Sequence, residues 1–177
     1  ALVLALALNM TLISLSMGAT LSFLAVKLED NLGAAPVLIG VAFAIQNFAA
    51  GIAQPVVGRF ADLYSRRMLI CLGLGLSAAM LVVLGLLQSL PLVLVVLAGV
   101  GVASALSMVT GGAMQVVAGR RVGMGSVLGL IAAGNGVGIL VGSVVGGLLV
   151  DAFNIDAAFY FGAIAMLAGV PLFYFLT

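Results

Sequence analysis

The sequence is 177 residues long, 65% hydrophobic and 6% charged, with a net charge of +1 and a mean hydropathy of +1.43. Soluble domains are about 45–50% apolar and about 25% charged, so this chain lacks the polar cover of a water-soluble fold and its expected solvent is a bilayer. The small charge provides no basic surface for nucleic acid. Histidine is absent, Cys71 is the single cysteine, and no glycine-rich phosphate loop with its lysine occurs. The sequence therefore predicts no metal site, catalytic group, cofactor or intrachain disulfide, and no enzyme.

Six apolar runs are long enough to cross a membrane, which takes about 20 helical residues. The predicted helices are 2–26, 36–58, 68–88, 91–117, 124–150 and 157–176. The predicted fold class is an all-α membrane protein with six transmembrane helices. Apolar runs that reach both ends, and the lack of an initiator Met, indicate a segment of a longer chain. The first run is too long, and lacks the basic start, for a signal peptide.

The basic residues predict how the helices are oriented. Five of the six lie in the second and fourth loops: Arg59, Arg66, Arg67, Arg120 and Arg121. The odd-numbered loops contain Lys27 and four acidic residues, Glu29, Asp30, Asp151 and Asp156. The positive-inside rule assigns the arginine side to the cytoplasm. We therefore expect a multi-pass protein of the plasma membrane, the inner membrane of a bacterium, with both ends of the segment cytoplasmic.

Polar and small residues are concentrated in helices one, two, four and five. Asn9, Ser16 and Thr20 share one face of helix one, at i, i+7 and i+11. Asn47 and Asn135 are amides at mid-span, where an unpaired amide in hydrocarbon is costly. These four helices are expected to face the interior or a partner, and helices three and six to face lipid. The alternative for the hydroxyl and glycine residues is simple close packing of helices.

None of the eleven charged residues lies deep in a predicted span. Proton-coupled transporters commonly carry the proton on a carboxylate or histidine inside the membrane. This segment supplies no such group. A proton-carrying residue must therefore lie elsewhere in the full protein, or proton coupling is the wrong mechanism.

Residues 58–67, GRFADLYSRR, place four charged residues between the second and third helices. The segment resembles the loop signature G-x-L-A-D-R-x-G-R-R/K of the major facilitator superfamily of membrane transporters. The matching residues are Gly58, Ala61, Asp62, Arg66 and Arg67; Phe60, Leu63 and Ser65 replace the other specified positions. The resemblance implies a cytoplasmic latch, formed by Gly58, Asp62, Arg66 and Arg67, that holds the outward-facing state. The alternative is that the arginines only set topology.

Helix five carries a second pattern, GLIAAGNGVGILVGSVVGG at residues 129–147. It is similar to G-x8-G-x3-G-P-x2-G-G, which is typical of the family's proton-driven exporters. The matching residues are Gly129, Gly138, Gly142, Gly146 and Gly147, and Ser143 stands in place of the proline. The resemblance implies a helix-five seam that allows close sliding, and a role in efflux by antiport. Helix four has no arginine near Leu97, where the proton-driven pattern expects one.

The loop residues also repeat within the sequence. Gly58-x3-Asp62 ends helix two and Gly147-x3-Asp151 ends helix five, so two three-helix repeats of inverted orientation are expected. The resemblance implies that residues 1–177 are the N-terminal half of a major facilitator fold, and that the second six-helix half is supplied by the same longer chain or by a second copy. Helices one and four would line a central cavity, and helices two and five would form the seam between the halves. The candidate cavity residues are Asn9, Ser16, Thr20, Asn47, Ser104 and Ser107.

Together these features predict a secondary transporter that exports a small, fairly apolar molecule by alternating access. Its expected partners are the lipid bilayer, the second half and the small-molecule substrate, without nucleic acid. A facilitator or importer of the same fold is one alternative. A non-transporting membrane scaffold or receptor is another, because a fold does not fix a function.

Overall fold

A computed structural model describes residues 2–176, with side chains from Val3 to Phe175. Its six long helices are α1 (Leu2–Val26), α2 (Pro36–Leu63), α3 (Arg66–Leu86), α4 (Leu90–Val122), α5 (Met124–Ala152) and α6 (Asp156–Leu176). All six are long and apolar enough to span a membrane. Residues 2–176 contain no β-strand. The predicted all-α fold with six helices is confirmed.

The helix ends differ from the predicted span ends. α2 and α4 each continue five residues beyond the predicted ends at 58 and 117, so only Tyr64, Ser65 and Gly123 remain as connections on that side. Hydropathy marks where the apolar stretch ends, whereas arginine and alanine are good helix formers that extend the helix past it. Gly123 ends α4 because its φ of 109° suits only glycine.

The five residues after the predicted end of helix one, 27–31, are also helical. A five-residue π-helical turn, Lys27–Asn31, continues α1, and the chain reverses only after it, at Leu32 to Ala35. Gly33 has a φ of 60°, the left-handed conformation that glycine adopts freely. Lys27 is therefore part of the helical rod and not of a solvated loop.

The helices pack as two inverted repeats. α1 packs mainly on α5 and α6, α4 packs mainly on α2 and α3, and α3 packs on α6. Exchanging α1 with α4, α2 with α5 and α3 with α6 leaves this pattern unchanged, as inverted repeats require. The first helix of each repeat, α1 or α4, therefore packs mainly against the helices of the other repeat. α1 and α4 lie between the α3–α6 pair and the outlying helices α2 and α5.

Two buried apolar clusters fill the two ends of the bundle. We call these ends the lysine end, where Lys27 lies, and the arginine end, where the five arginines lie. The cluster at the lysine end includes Leu24, Leu28, Leu84, Leu97 and Phe159. The cluster at the arginine end includes Leu6, Ile70, Leu74, Val127 and Phe173. Both clusters draw on α1, α3, α4 and α6, and these four helices therefore form the core of the bundle.

α3 and α6 each present an outer face without charge. The exposed residues of α3 between Met68 and Leu86, and those of α6 between Ile164 and Phe175, are apolar or aromatic. Such a face suits hydrocarbon. Contact of these two helices with lipid stays a prediction.

Candidate functional site

The residues of the 58–67 segment lie on two helix ends. Gly58 and Asp62 belong to the last two turns of α2, and Arg66 and Arg67 begin α3. Asp62 and Arg67 are exposed, and within residues 2–176 neither side chain forms a hydrogen bond or an ion pair. The Ser65 hydroxyl caps the start of α3, accepting from the Met68 N–H at 3.3 Å, and Asp62 caps neither helix.

The charges of this segment are placed against the helix dipoles. Asp62 lies at the carbonyl end of α2, and Arg66 and Arg67 lie at the N–H end of α3. Each position is the unfavourable one, since anions are stabilised at N-termini and cations at C-termini by about 0.3–1 kcal/mol. These residues therefore do not serve the stability of α2 and α3. All three side chains are unpaired, Asp62 and Arg67 are exposed and Arg66 is half-buried, so they are available to a partner outside the bundle.

The polar face of α1 is turned into the bundle. Asn9, Ser16 and Thr20 are all buried. The Thr20 hydroxyl donates to the Ser16 carbonyl at 2.7 Å, and a Cβ at Gly162 of α6 would lie 2.8 Å from the Ser16 hydroxyl oxygen. The three polar residues therefore face α6 and do not reach the surface of the half. Their contact with substrate stays a prediction.

The remaining cavity candidates differ in exposure. Asn47 is exposed near the middle of α2, and its Nδ2 donates to the Phe43 carbonyl at 2.8 Å. Ser104 is half-buried and donates to the Gly101 carbonyl at 2.8 Å. Ser107 is buried and donates to the Ile70 carbonyl of α3 at 3.4 Å. Among the six candidates, Asn47 and Ser104 are therefore the ones open to the surface of the half.

The glycine stripe of α5 packs against α1 within the half. A Cβ at Gly138 would meet the Thr11 carbonyl oxygen, a Cβ at Gly142 the Leu15 carbonyl oxygen, and one at Gly146 the Cα of Ala19 at 3.1 Å. We expected these glycines to face the other half. In the structure they face α1 instead, because α1 packs against the helices of the second repeat and covers the stripe. Gly129 lies off this contact, with open space around its Cα, and Gly147 borders α1 only through the Phe23 ring, 3.6 Å from an added Cβ.

The mid-span amide of α5 has a partner on α1. Asn135 accepts a hydrogen bond from the Ser14 hydroxyl through Oδ1. About two turns further along α5 the Ser143 hydroxyl contacts Ser22 and the Gly18 carbonyl, each at 3.3 Å. Hydroxyl and amide groups therefore join α1 and α5 alongside the glycine contacts, which is the usual arrangement of a close helix pair in a membrane.

Lys27 forms a buried charge cluster at the lysine end. Its Nζ donates to Asp156 Oδ1 at 2.7 Å and to the Leu84 and Gly85 carbonyls at 2.8 and 2.9 Å, with the Phe159 ring centroid 5.2 Å away. The ammonium satisfies carbonyls at the negative end of α3, and Asp156 occupies the positive end of α6. This ion pair therefore ties the ends of α1, α3 and α6 together. Sequence reasoning missed it, because Lys27 read as one charge of a solvated loop.

A comparison with protein-family models decides the family. The model described as Major Facilitator Superfamily matches residues 6–177, almost the whole chain. The chain belongs to the major facilitator superfamily. A search of curated proteins found no match.

Membership of this family relates the observed geometry to membrane transport. A major facilitator protein is a membrane transporter, and the six helices with their inverted packing are the architecture of half of that fold. The unpaired charges of the 58–67 segment and the exposed amide of α2 are thus features of a transporter half.

Proposed function

We propose that this chain is the N-terminal half of a secondary transporter that pairs with a second six-helix half and exports a small, fairly apolar molecule by alternating access. The observation that carries the proposal is the bare surface of α2. It is the least buried of the six helices in this structure, and its exposed residues include Gly40, Asn47, Gly51 and Gln54. Amides and bare backbone at mid-span are costly against lipid. A protein partner or an aqueous cavity must cover them.

The second half supplies that cover. α5, related to α2 by the inverted repeat, exposes Gly129 and Gly136 on the surface that α1 does not occupy. Small residues allow two helices to approach closely in a membrane. α2 and α5 are thus the two helices with which this half meets the other. The second half comes from the same longer chain or from a second copy.

Substrate contact is assigned first to Asn47 and Ser104, the candidates that the half leaves open. Asn9, Ser16 and Thr20 reach a cavity only if α1 separates from α6, and Ser107 only if α4 separates from α3. In the described arrangement these four residues pack helices together. A central cavity lined by Asn47 and Ser104 is chiefly apolar around them, which favours a substrate with few charges.

The glycine pattern of α5 favours export. If transport is coupled to an ion, the coupling residue belongs to the second half. The described spans carry no carboxylate at mid-membrane, so a coupling residue must come from outside this chain. A facilitator of the same architecture needs no such residue and is the second candidate.

Labelling of single cysteines tests the proposed orientation. In a Cys71→Ser background, Ser65→Cys and Arg121→Cys should react with a membrane-impermeant thiol reagent only from the cytoplasm, and Asp30→Cys and Asn154→Cys only from outside. All four positions are exposed at helix ends, and five arginines hold their end in the cytoplasm. Reaction of any one cysteine from the opposite side would overturn the topology.

Asp62→Asn tests the latch. The amide keeps the shape of the carboxylate but loses the charge that we propose to pair with the second half in the outward-facing state. A charge-assisted contact of about 1.5–3 kcal/mol corresponds to roughly a ten- to hundredfold population shift. Flux into proteoliposomes should fall, and the cavity should be less accessible from outside, with normal insertion.

Asp151→Asn is the matched control for the latch, since Asp151 is an exposed acid in the last turn of α5, at the other end of the bundle. It should leave flux and accessibility unchanged. If Asp62→Asn behaves like this control, the segment only orients the protein. If the unsubstituted protein shows no flux for any small apolar solute, a scaffold or receptor replaces the transporter.

A further inference from the structure

We propose that the groove between the start of α3 and the end of α6 binds an anionic phospholipid, with its phosphate at Arg67 and an acyl chain along the groove. The groove has a volume of about 660 Å³. Its apolar wall is formed by Met68, Cys71, Leu72 and Val170. It lies on the outer surface of the half, away from the proposed contact with the second half. The proposal therefore stands independently of transport.

The mouth of the groove is built for an anion. Arg67 lines it beside Ser65, the capping residue of α3. Arg67 is exposed and has no hydrogen-bond or ion-pair partner within residues 2–176. It also stands at the positive end of α3, where a bound phosphate, unlike an arginine, is favoured. An anion at this mouth would thus gain a guanidinium and relieve the unfavourable placement of Arg67.

The wall of the groove fits hydrocarbon. Met68 and Leu72 are half or more exposed, and Tyr174 stands at the opposite rim on α6, 66% exposed. A tyrosine at the level of the headgroups with apolar residues one turn deeper is the usual arrangement at a membrane interface. Cys71 is small and contacts the Val170 carbonyl through its thiol at 3.9 Å, leaving room between the helices on either side of this contact.

The opposite end of the same helix pair shows why this groove is open. Under the inverted repeat, the start of α3 and the end of α6 correspond to the start of α6 and the end of α3. At that lysine end the polar cavity is lined by Lys27 and Asp156, whose charges pair with each other. Under the same repeat, the end of α1, where Lys27 lies, corresponds to the end of α4, where Arg120 and Arg121 lie. These two arginines are exposed and contact no acid in the described chain. The cation at the lysine end is neutralised by its own ion pair, whereas at the arginine end an unpaired cation lies beside an apolar slot.

Charge complementarity identifies the occupant. A basic pocket between transmembrane helices on the cytoplasmic side recognises anionic headgroups, and each arginine near the surface contributes about 1 kcal/mol, roughly a fivefold preference. A neutral ligand would not pair with the Arg67 guanidinium, and binding of a protein segment would not require the apolar wall of the groove. A phosphate-bearing lipid uses both.

Native mass spectrometry of the purified full-length protein tests the site. With phosphatidylglycerol or phosphatidylcholine added to the detergent, the unsubstituted protein should retain phosphatidylglycerol in preference. Arg67→Gln should lower that preference about fivefold, whereas Arg120→Gln, an exposed arginine at the same end but outside the groove, should keep it. Val170→Phe, which fills the slot, should lower retention of both lipids.

Equal loss of preference in Arg67→Gln and Arg120→Gln would overturn the site in favour of diffuse surface charge. So would a protein that retains both lipids equally. Retention that survives Val170→Phe would place the lipid elsewhere. Thermal unfolding of each variant in the same detergent shows that it is folded, and a Cys71→Leu variant replaces Val170→Phe if the latter is not.

Discussion

Lys27→Met is expected to lower the free energy of unfolding of this half by about 3–5 kcal/mol, the usual cost of removing one partner from a buried salt bridge. Methionine keeps the length of the side chain but donates nothing. Asp156 and the Leu84 and Gly85 carbonyls would each lose the ammonium that now lies 2.7 to 2.9 Å away. Because Lys27 is buried, water cannot readily replace it.

Unfolding in detergent, followed by circular dichroism across a denaturant or temperature series, measures the effect. Asp156→Asn should cost less, since Lys27 keeps its two carbonyl partners and Asp156 is 29% exposed. The double variant should be less destabilised than the sum of the single variants. Arg120→Met removes an exposed, unpaired cation and should stay within about 0.5 kcal/mol of the unsubstituted protein. Equal stability of Lys27→Met and Arg120→Met would show that the buried pair does not hold the helix ends.

Gly142→Ala is expected to destabilise the packing of α1 on α5, whereas Gly136→Ala on the same helix does not destabilise this six-helix unit. A Cβ at Gly142 would press on the backbone of Leu15, which cannot move as a side-chain tip can. Overpacking of this kind costs about 1–3 kcal/mol. Gly136 has no atom within 4 Å of the added Cβ, and alanine is the better helix former by about 1 kcal/mol. The two variants should therefore shift stability in opposite directions.

The same unfolding assay compares the two alanine variants, and flux in proteoliposomes compares their transport. Gly142→Leu should be worse than Gly142→Ala in both. If Gly142→Ala and Gly136→Ala are equally stable, α1 and α5 do not pack through this stripe, and the glycines are then free to face the other half.

The sequence was sufficient for features that depend on composition along one helix. Hydropathy placed six spans, and the loop around Asp62 together with the helix-five pattern indicated the family, because local residue types decide both. Helix ends were less predictable. At Arg59 and Arg120 the chain leaves the apolar stretch without any residue that breaks a helix, and the helix continues.

Features that depend on which helices meet could not be read in this way. The spacing of Gly138, Gly142 and Gly146 predicts a close helix contact. The partner helix is α1, and this follows only from the packing of α1 against the helices of the second repeat. For the same reason the polar face of Asn9 and Ser16 turns toward α6. Lys27 gave no signal at all, because its partners Asp156 and Gly85 lie far away in sequence.

Accessibility of Asn47→Cys from the two sides of the membrane tests alternating access most directly. Asn47 is exposed near the middle of α2, on the surface that we assign to the cavity and the second half. In a Cys71→Ser background of the full-length protein, a membrane-impermeant thiol reagent should modify it from the cytoplasmic side and, in a separate experiment, from outside. Leu76→Cys, on the exposed apolar face of α3, should react from neither side. Reaction of Asn47→Cys from one side only, or from neither, would contradict a transporter whose cavity opens alternately to both.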